Sequence, residues 1–461
     1  LTVEMFADTT GLPLKIRIYD AAIAWVLEKQ RQHENVRLTG LEPAELRQFL
    51  TEAATCVVQS GNEIAKVSML EARLKASHNP AAKLLEKSRQ ETSLSDSKAL
   101  NNLLASFYLK PASGEQGGSI EFVHKSFGEF LFAERLLEAL EDWTKKGGRR
   151  QTSYTVPDTE MHREVYDLLG YGGLTPEIVG YLTPRLVNQL SHDALITLFE
   201  RLNDFYDRWC ESEFIDAEPP TLPQDTMRQL KTQGVATGQR QVDVYTGLNV
   251  MILCLELHRY GQSQEDLKAA IVFYPSGQSE EGDEDTDRLL KVIHYSDALS
   301  FATFTTIAGS FLTSANLDSA NLTRATLTSA DLTSADLTRA TLTRATLDSA
   351  DLTSADLTSA TLDSADLDSA DLTSADLTSA NLDSATLTRA TLTRADLTRA
   401  TLTRAFLASA NLRGADLTHA DLTHANLRDI IWNEETKWDR VEGLETARNV
   451  PEALKQQLGL A

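Results

Sequence analysis

From Leu312 to Leu427 an apolar residue returns at every fifth position without interruption, giving 24 consecutive leucines, with Ala two residues before each Leu from Leu317 onward. The three remaining positions of each unit carry mostly Asp, Asn, Thr, Ser or Arg. A helix of 3.6 residues per turn and a strand of period two both lose such a pattern from one face. A third geometry is required. Within a unit, Ala and Leu can point inward with one outward residue between them, as in a strand, if the other two residues turn a corner. Repeated sides and corners then close into a coil, and coils stack at strand spacing, about 4.8 Å.

The A-[D/N]-L-x-x units resemble those of pentapeptide-repeat proteins. That resemblance implies a right-handed quadrilateral parallel β-helix with four units per coil, here over residues 298–430. About six coils would make a stack of roughly 29 Å. Ala302, Thr303 and Phe304 stand in another register, so an irregular first coil is expected. Residues 431–461 break the period with Trp432 and Trp438 and turn helical from about Pro451. They read as a cap, because a coil end leaves backbone groups unpaired.

Residues 1–297 carry a different rhythm. Amphipathic helical patterns occupy about 14–32, 43–59, 62–75, 127–143 and 183–210. They divide into a region 1–145 and a helical linker domain 146–297. The acidic run QSEEGDEDTD, 278–287, reads as a solvated linker. In SFYLKPASGEQGGSIEFVH two β-leaning segments flank a Gly-rich loop, a hairpin signal. Ser126 and Glu129 then have capping-box spacing, which predicts a helix from Ser126 with Phe130, Ala133 and Leu137 on one face. His124 would sit just outside that N-terminus, where free N–H groups suit an anion.

This stretch resembles the F-x-H-x-S-F-x-E-[YF]-x-x-A motif that closes the winged-helix region of NACHT-type (STAND) signalling ATPases. Phe122, His124, Ser126, Phe127, Glu129, Phe130 and Ala133 match it, and Gly128 departs from it. The resemblance implies that His124 contacts the phosphate of a bound nucleotide and helps hold an ADP-bound state. The sequence has no G-x-x-x-x-G-K-[ST] loop to cradle that phosphate, and KKGG at 145–148 reads as a surface loop. The chain is therefore expected to be no enzyme itself and to hold no cofactor. ADP or ATP would belong to a longer parent whose ATPase core lies upstream of Leu1.

Charge sharpens the choice of partner. A formal charge of −23 over 461 residues repels phosphate backbones and argues against general nucleic-acid binding, leaving a protein partner, preferably basic. Steps of 20 stack Asp336, Asp356, Asp376, Asp396 and Asp416 on one side of the coil, and Asp331, Asp351 and Asp371 on another. Like charges at that spacing repel by about 0.9 kcal/mol per pair in water, so the ladder is not a stability device. Either it is drift by repeat duplication, each carboxylate solvated or bonded to backbone, or the first column is a candidate surface for a basic partner. Arg389, Arg394, Arg399 and Arg404 would ring one coil. His419 and His424 read as surface decoration, and no metal-ligand spacing occurs. Outward Thr-Leu-Thr units, as in ice-binding solenoids, do not fill a face.

Cys56, Cys210 and Cys254 read as buried free thiols, and the absence of an apolar run of spanning length leads to an expected cytoplasmic, membrane-free location. Three functions follow. The first is the regulatory and sensor portion of a STAND-type ATPase with the β-helix as interaction arm. The second is an acidic DNA mimic that binds a topoisomerase such as gyrase, and the third a passive spacer. Self-assembly stays open in each.

Overall fold

The computed structural model describes residues 11–30, 39–61, 64–75, 81–93, 95, 98–100, 103, 109–111, 118–147, 153–277 and 286–460. They fall into two compact units, one of Leu1–Phe205 with Ser212–Asn249 and one of Tyr206–Glu211 with Val250–Ala461. The expected boundary at 145/146 lies inside the first unit, and that at 297/298 inside the second.

In the first unit the helices Pro43–Gln59 and Lys125–Thr144 pack on each other. The former begins with Pro43 in its first turn, where the missing N–H costs nothing, and Glu42 and Glu45 cap it reciprocally. Its buried face includes Leu46, Phe49, Leu50, Ala53 and Cys56, which meet a Phe130–Leu140 face that is almost wholly buried. Charge is buried at the same interface. Glu52, fully buried, accepts from Arg135 Nε at 2.8 Å and pairs with Arg73, which reaches Asp167 through two bonds of 3.0 and 2.8 Å.

The hairpin signal corresponds to strands Leu109–Pro111 and Ser119–Phe122, antiparallel in register Leu109↔Phe122, with the loop 112–117 outside the described residues. The sequence did not reveal a third strand, Ile64–Lys66, which pairs with the other edge of Ser119–Phe122. Of the pattern at 62–75, positions 62 and 63 lie outside the described residues, and the rest is strand followed by the helix Val67–Lys75. That at 183–210 is two helices, Pro176–Gln189 and His192–Cys210. The first pattern is a helix Leu14–Ala24 continued as π-helical Trp25–Gln30, with positions 31 and 32 outside the described residues.

The start of the motif helix needs correcting. It runs Lys125–Thr144 with His124 as N-cap, and Ser126 lies inside it. The His124 imidazole takes the capping role expected of Ser126, because Nδ1 can accept from an amide two residues on, as an Asp side chain does.

In the second unit the helices Arg288–Asp297 and Thr303–Ala308 and a 3₁₀ turn Gly309–Phe311 precede the coil. The 302–304 segment is therefore a helix start and not an irregular coil. Its neighbours close the end of the stack: Gly309 O accepts from Asp331 N at 2.9 Å, and Thr286 O accepts from Asn321 N at 2.9 Å. Asp287, at the end of the expected solvated linker, accepts from Asn321 Nδ2 at 2.7 Å, whereas 278–285 lie outside the described residues.

Parallel bridges join residues 20 apart from Asn316↔Asp336 to Asn411↔Ile431, four units per coil. From Ala315 to Leu427 every Leu, and the Ala two residues before it, is 0–1% exposed. The corners have one local cause. From Leu312 to Leu422 the carbonyl of each Leu accepts from the Ala N–H three residues on, as Leu367 O does from Ala370 N at 3.1 Å. Such a turn sets its third residue in the left-handed region, and Ser, Arg or His stands there with φ of 55–61°, except for Gly414 at 68°. Each costs a non-Gly residue about 1–2 kcal/mol, which the inter-coil ladder offsets.

The coil does not stop at 430. Asp416↔Lys437, Asp421↔Glu442 and Asn426↔Arg448 continue the ladder with steps of 21 and 22, so 431–448 make a further coil with inserted residues. Only then does the helix Glu452–Leu458 follow Pro451, with Leu454 fully buried and Trp432 Nε1 donating to Gln457 Oε1 at 3.0 Å.

Candidate functional site

The five carboxylates expected to stack do so: Asp336, Asp356, Asp376, Asp396 and Asp416 occupy successive rungs through parallel bridges. Each also has a structural task. Oδ1 accepts from the backbone N–H of the Thr two residues on, at 3.0 Å for Asp336 and Asp416 and 2.9 Å for Asp356, Asp376 and Asp396. This bond stabilises the corner and fixes the carboxylate. The second column, Asp331, Asp351 and Asp371, does the same with Thr333, Thr353 and Thr373. A purely repulsive ladder is therefore an incomplete description.

The ends of the first column differ in charge. Asn316 precedes it as a neutral rung, and Lys437 follows it, with Nζ 2.7 Å from Asp416 Oδ2. Burial pushes the Asp416 carboxyl up, but bonds from Lys437 and Thr418 outweigh this and hold it below the usual range. Five threonines, Thr338, Thr358, Thr378, Thr398 and Thr418, run beside the column.

Arginines obey a spacing rule. Arg339, Arg389 and Arg404 each stand 21 residues after an Asp and pair with it: Arg339 with Asp318 at 2.7 Å, Arg389 with Asp368 at 2.7 Å, and Arg404 with Asp383. Arg404 holds the Asp383 carboxyl below its usual range against the opposing effect of burial. The expected ring of four is thus not uniform, because Arg394 and Arg399 have Thr373 and Thr378 at that spacing.

His124 is exposed, and Ser126 N donates to its Nδ1 at 3.2 Å. That bond leaves the proton of the neutral ring on Nε2. His419 and His424 take left-handed corners, and among the described residues no group of three or more His, Cys, Asp or Glu is placed to hold a metal ion. All three cysteines are free, Cys56 and Cys254 buried and Cys210 half-buried. Among the described residues no helix is long and apolar enough to cross a membrane. Lys437 is the charged residue at the end of the column that sequence reasoning missed. Its signal was a lone Lys where a sixth Asp would fall once the inserted residue is counted.

Residues 303–333, 310–348, 350–389 and 390–429 match the model of the family described as pentapeptide repeats. Through this segment the chain belongs to the pentapeptide-repeat family. Among solved structures it is similar to HetL, a pentapeptide repeat protein involved in heterocyst differentiation regulation from the cyanobacterium Nostoc sp. strain PCC 7120. The identity is 34% over 30% of this chain and 69% of that chain, with a TM-score of 0.14. Rfr23, a pentapeptide repeat protein from the cyanobacterium Cyanothece 51142, is 40% identical over 22% of this chain and 64% of that chain, with a TM-score of 0.14. QnrB1, a plasmid-mediated fluoroquinolone resistance protein, is 17% identical over 32% of this chain and 88% of that chain, with a TM-score of 0.13. No curated protein matches.

Proposed function

We propose that the β-helix is a protein-interaction arm whose Asp336–Asp416 column receives a basic partner. The observation that carries this reading is Lys437 on Asp416: the chain itself seats a basic side chain on the final carboxylate of the column, at 2.7 Å. The Oδ1 bonds to the corner amides hold the carboxylates in register, so a partner orders little on binding. Five rungs span roughly 19 Å at strand spacing, and salt screens their field within about 8 Å at physiological ionic strength.

The arm belongs, on this reading, to the regulatory part of a STAND-type ATPase. The support is the motif from Phe122 to Ala133 together with its setting, a strand ending at Phe122 and a helix starting at Lys125. His124 Nε2–H is a hydrogen-bond donor suited to a nucleotide phosphate supplied by a longer parent. In that parent, His124→Ala should speed ADP release, and unchanged release removes the role.

Changing Asp336, Asp356, Asp376 and Asp396 to Asn tests the arm. Asn holds the same position at Asn321 and Asn381 and accepts the same bond, at 3.0 Å in both, so charge is removed while corners are kept. Affinity capture should recover the partner with the wild type at low salt, less at moderate salt, and least with the Asn variant. Equal recovery leaves the coil a spacer. A topoisomerase such as gyrase, recovered by the wild type alone, favours DNA mimicry over the STAND reading.

A further inference from the structure

The side of the coil that carries the second acidic column changes sign along its length. Its ladder runs Asp331, Asp351, Asp371, Thr391, Asn411 and Ile431. At the Asp351 and Asp371 rungs the bordering corners add two more carboxylates, Asp348 and Asp368, and no cation. At the Thr391 and Asn411 rungs they hold Arg389, Arg394 and Arg413 and no carboxylate. Arg389 is already paired with Asp368 at 2.7 Å, whereas Arg394 and Arg413, both exposed, have no ion pair among the described residues. Glu435, the carboxylate beside the Gly414 corner, accepts from Asn433 Nδ2 at 3.4 Å. Oδ1 of Asp351 and of Asp371 serves the corner, and Oδ2 has no partner among the described residues. Beyond Asn411 the pattern ends, because Arg428 beside Ile431 pairs with Asp429 at 3.1 Å.

We propose that this side is a docking surface for a second copy of the chain, with the two coils antiparallel. The sign reverses midway between Asp371 and Thr391. A two-fold axis lying in the contact plane at that height brings the Asp371 rung of one copy to the Thr391 rung of the other, and the Asp351 rung to the Asn411 rung. Asp371 then meets Arg394 and Asp351 meets Arg413. Symmetry makes each contact twice, so four pairs form. Parallel coils would instead set Asp351 against Asp351 and Arg413 against Arg413. A partner of one sign fits only half of the surface, since a basic one meets the arginines and an acidic one the aspartates. Equal coil spacing keeps the two copies in step over the four rungs, roughly 14 Å. A patch of that length supports a weak, reversible pair and not a permanent dimer. It lies on the side next to the Asp336–Asp416 column and is independent of the partner proposed there.

Sedimentation velocity of the whole chain over a range of concentrations, at low and at moderate salt, tests the pairing. The wild type should pass from monomer to dimer as concentration rises, and moderate salt should reverse this. Two variants use residues that the same column and corner already hold. Asp351→Asn with Asp371→Asn follows Asn411, whose Oδ1 accepts from Arg413 N at 3.3 Å, and Arg394→Ser with Arg413→Thr follows Ser374 and Thr393. Each double variant should keep the melting temperature and weaken dimerisation about tenfold, the sum of four weak exposed pairs. The Asn variant is the stricter of the two, because it lowers the overall negative charge and should still associate less. Asn at 336, 356, 376 and 396 on the neighbouring side should leave dimerisation at least as strong as in the wild type. A chain that stays monomeric, association that salt does not weaken, unchanged association in both double variants, or tighter association in the Asn variant, as parallel coils would give, overturns the proposal.

Discussion

Leu367→Ala tests the packing of the coil where it is most regular. Leu367 is fully buried, and its stacking neighbours one coil away, Leu347 and Leu387, are equally buried. Truncation removes three carbon groups, which at about 0.8 kcal/mol each forfeits about 2.4 kcal/mol of transfer free energy. The coil cannot collapse to recover it, because Leu367 N donates to Thr386 O at 2.8 Å in the next coil and Asp366 N to Ala345 O at 2.9 Å in the preceding one, fixing the rung on both sides. A cavity contribution therefore adds, for a total of about 3–4 kcal/mol. Asp366→Asn is the control one residue away. It keeps the acceptor for Asp368 N, so its cost should fall within about 0.5 kcal/mol of zero. Because the chain has two compact units, one overall melting curve mixes two transitions. Hydrogen exchange of peptides covering residues 347–387 isolates the relevant one. In Leu367→Ala, protection there should drop by about two to three orders of magnitude, at a factor of ten per 1.4 kcal/mol. Equal protection in the two variants would refute the inward and outward assignment.

Three further outcomes are expected. Burial beside Glu134 and Glu52, only partly offset by Arg135, pushes the Glu138 carboxyl up to about 7. Folding thus favours its protonated form: the stabilisation is full below the ordinary carboxylate range near pH 4 and is lost as pH rises through about 7. Glu138→Gln should flatten the melting temperature of the first unit between about pH 5 and 8, and an unaltered profile would contradict this. Glu52→Gln leaves Arg73 and Arg135 without their shared charge and should cost the first unit about 3–5 kcal/mol in denaturant unfolding, with the coil transition unmoved. Arg404→Ala should let the Asp383 carboxyl titrate at higher pH, read by carboxyl NMR, because the hydrogen bond from Arg404 holds it down.

The coil was legible because its cause is local and repeats. A left-handed third turn residue every five positions makes four corners in 20 residues, and no helix or sheet competes for that pattern. Where the pattern slips, legibility fails. Lys437, Glu442 and Arg448 sit on the ladder after inserted residues, which destroys the period although the inter-coil hydrogen bonds survive. The strand Ile64–Lys66 was missed because three residues carry too little alternation to outweigh the helix that follows. Ser126 fitted a capping box on paper, but His124, whose Nδ1 accepts from the Ser126 amide two residues on, takes the N-cap instead.

The acidic column shows a different limit. Counting in twenties placed its five members, and bonding of the carboxylates to backbone was among the expectations, but the Lys437 counter-charge stayed hidden behind the inserted residue. The buried Glu52 bridge was likewise hidden, since its partners Arg73 and Arg135 are 21 and 83 residues distant and no periodicity joins them.

The most direct measurement of the arm's role is the salt dependence of affinity between the chain and its captured partner, for the wild type and for the variant with Asn at 336, 356, 376 and 396. The wild-type affinity should fall steeply as salt rises, and the variant should start weaker and fall less, since surface charges within a Debye length of about 10 Å at 0.1 M supply the attraction. Two parallel salt curves at the same affinity would contradict the claim that the column is the contact surface.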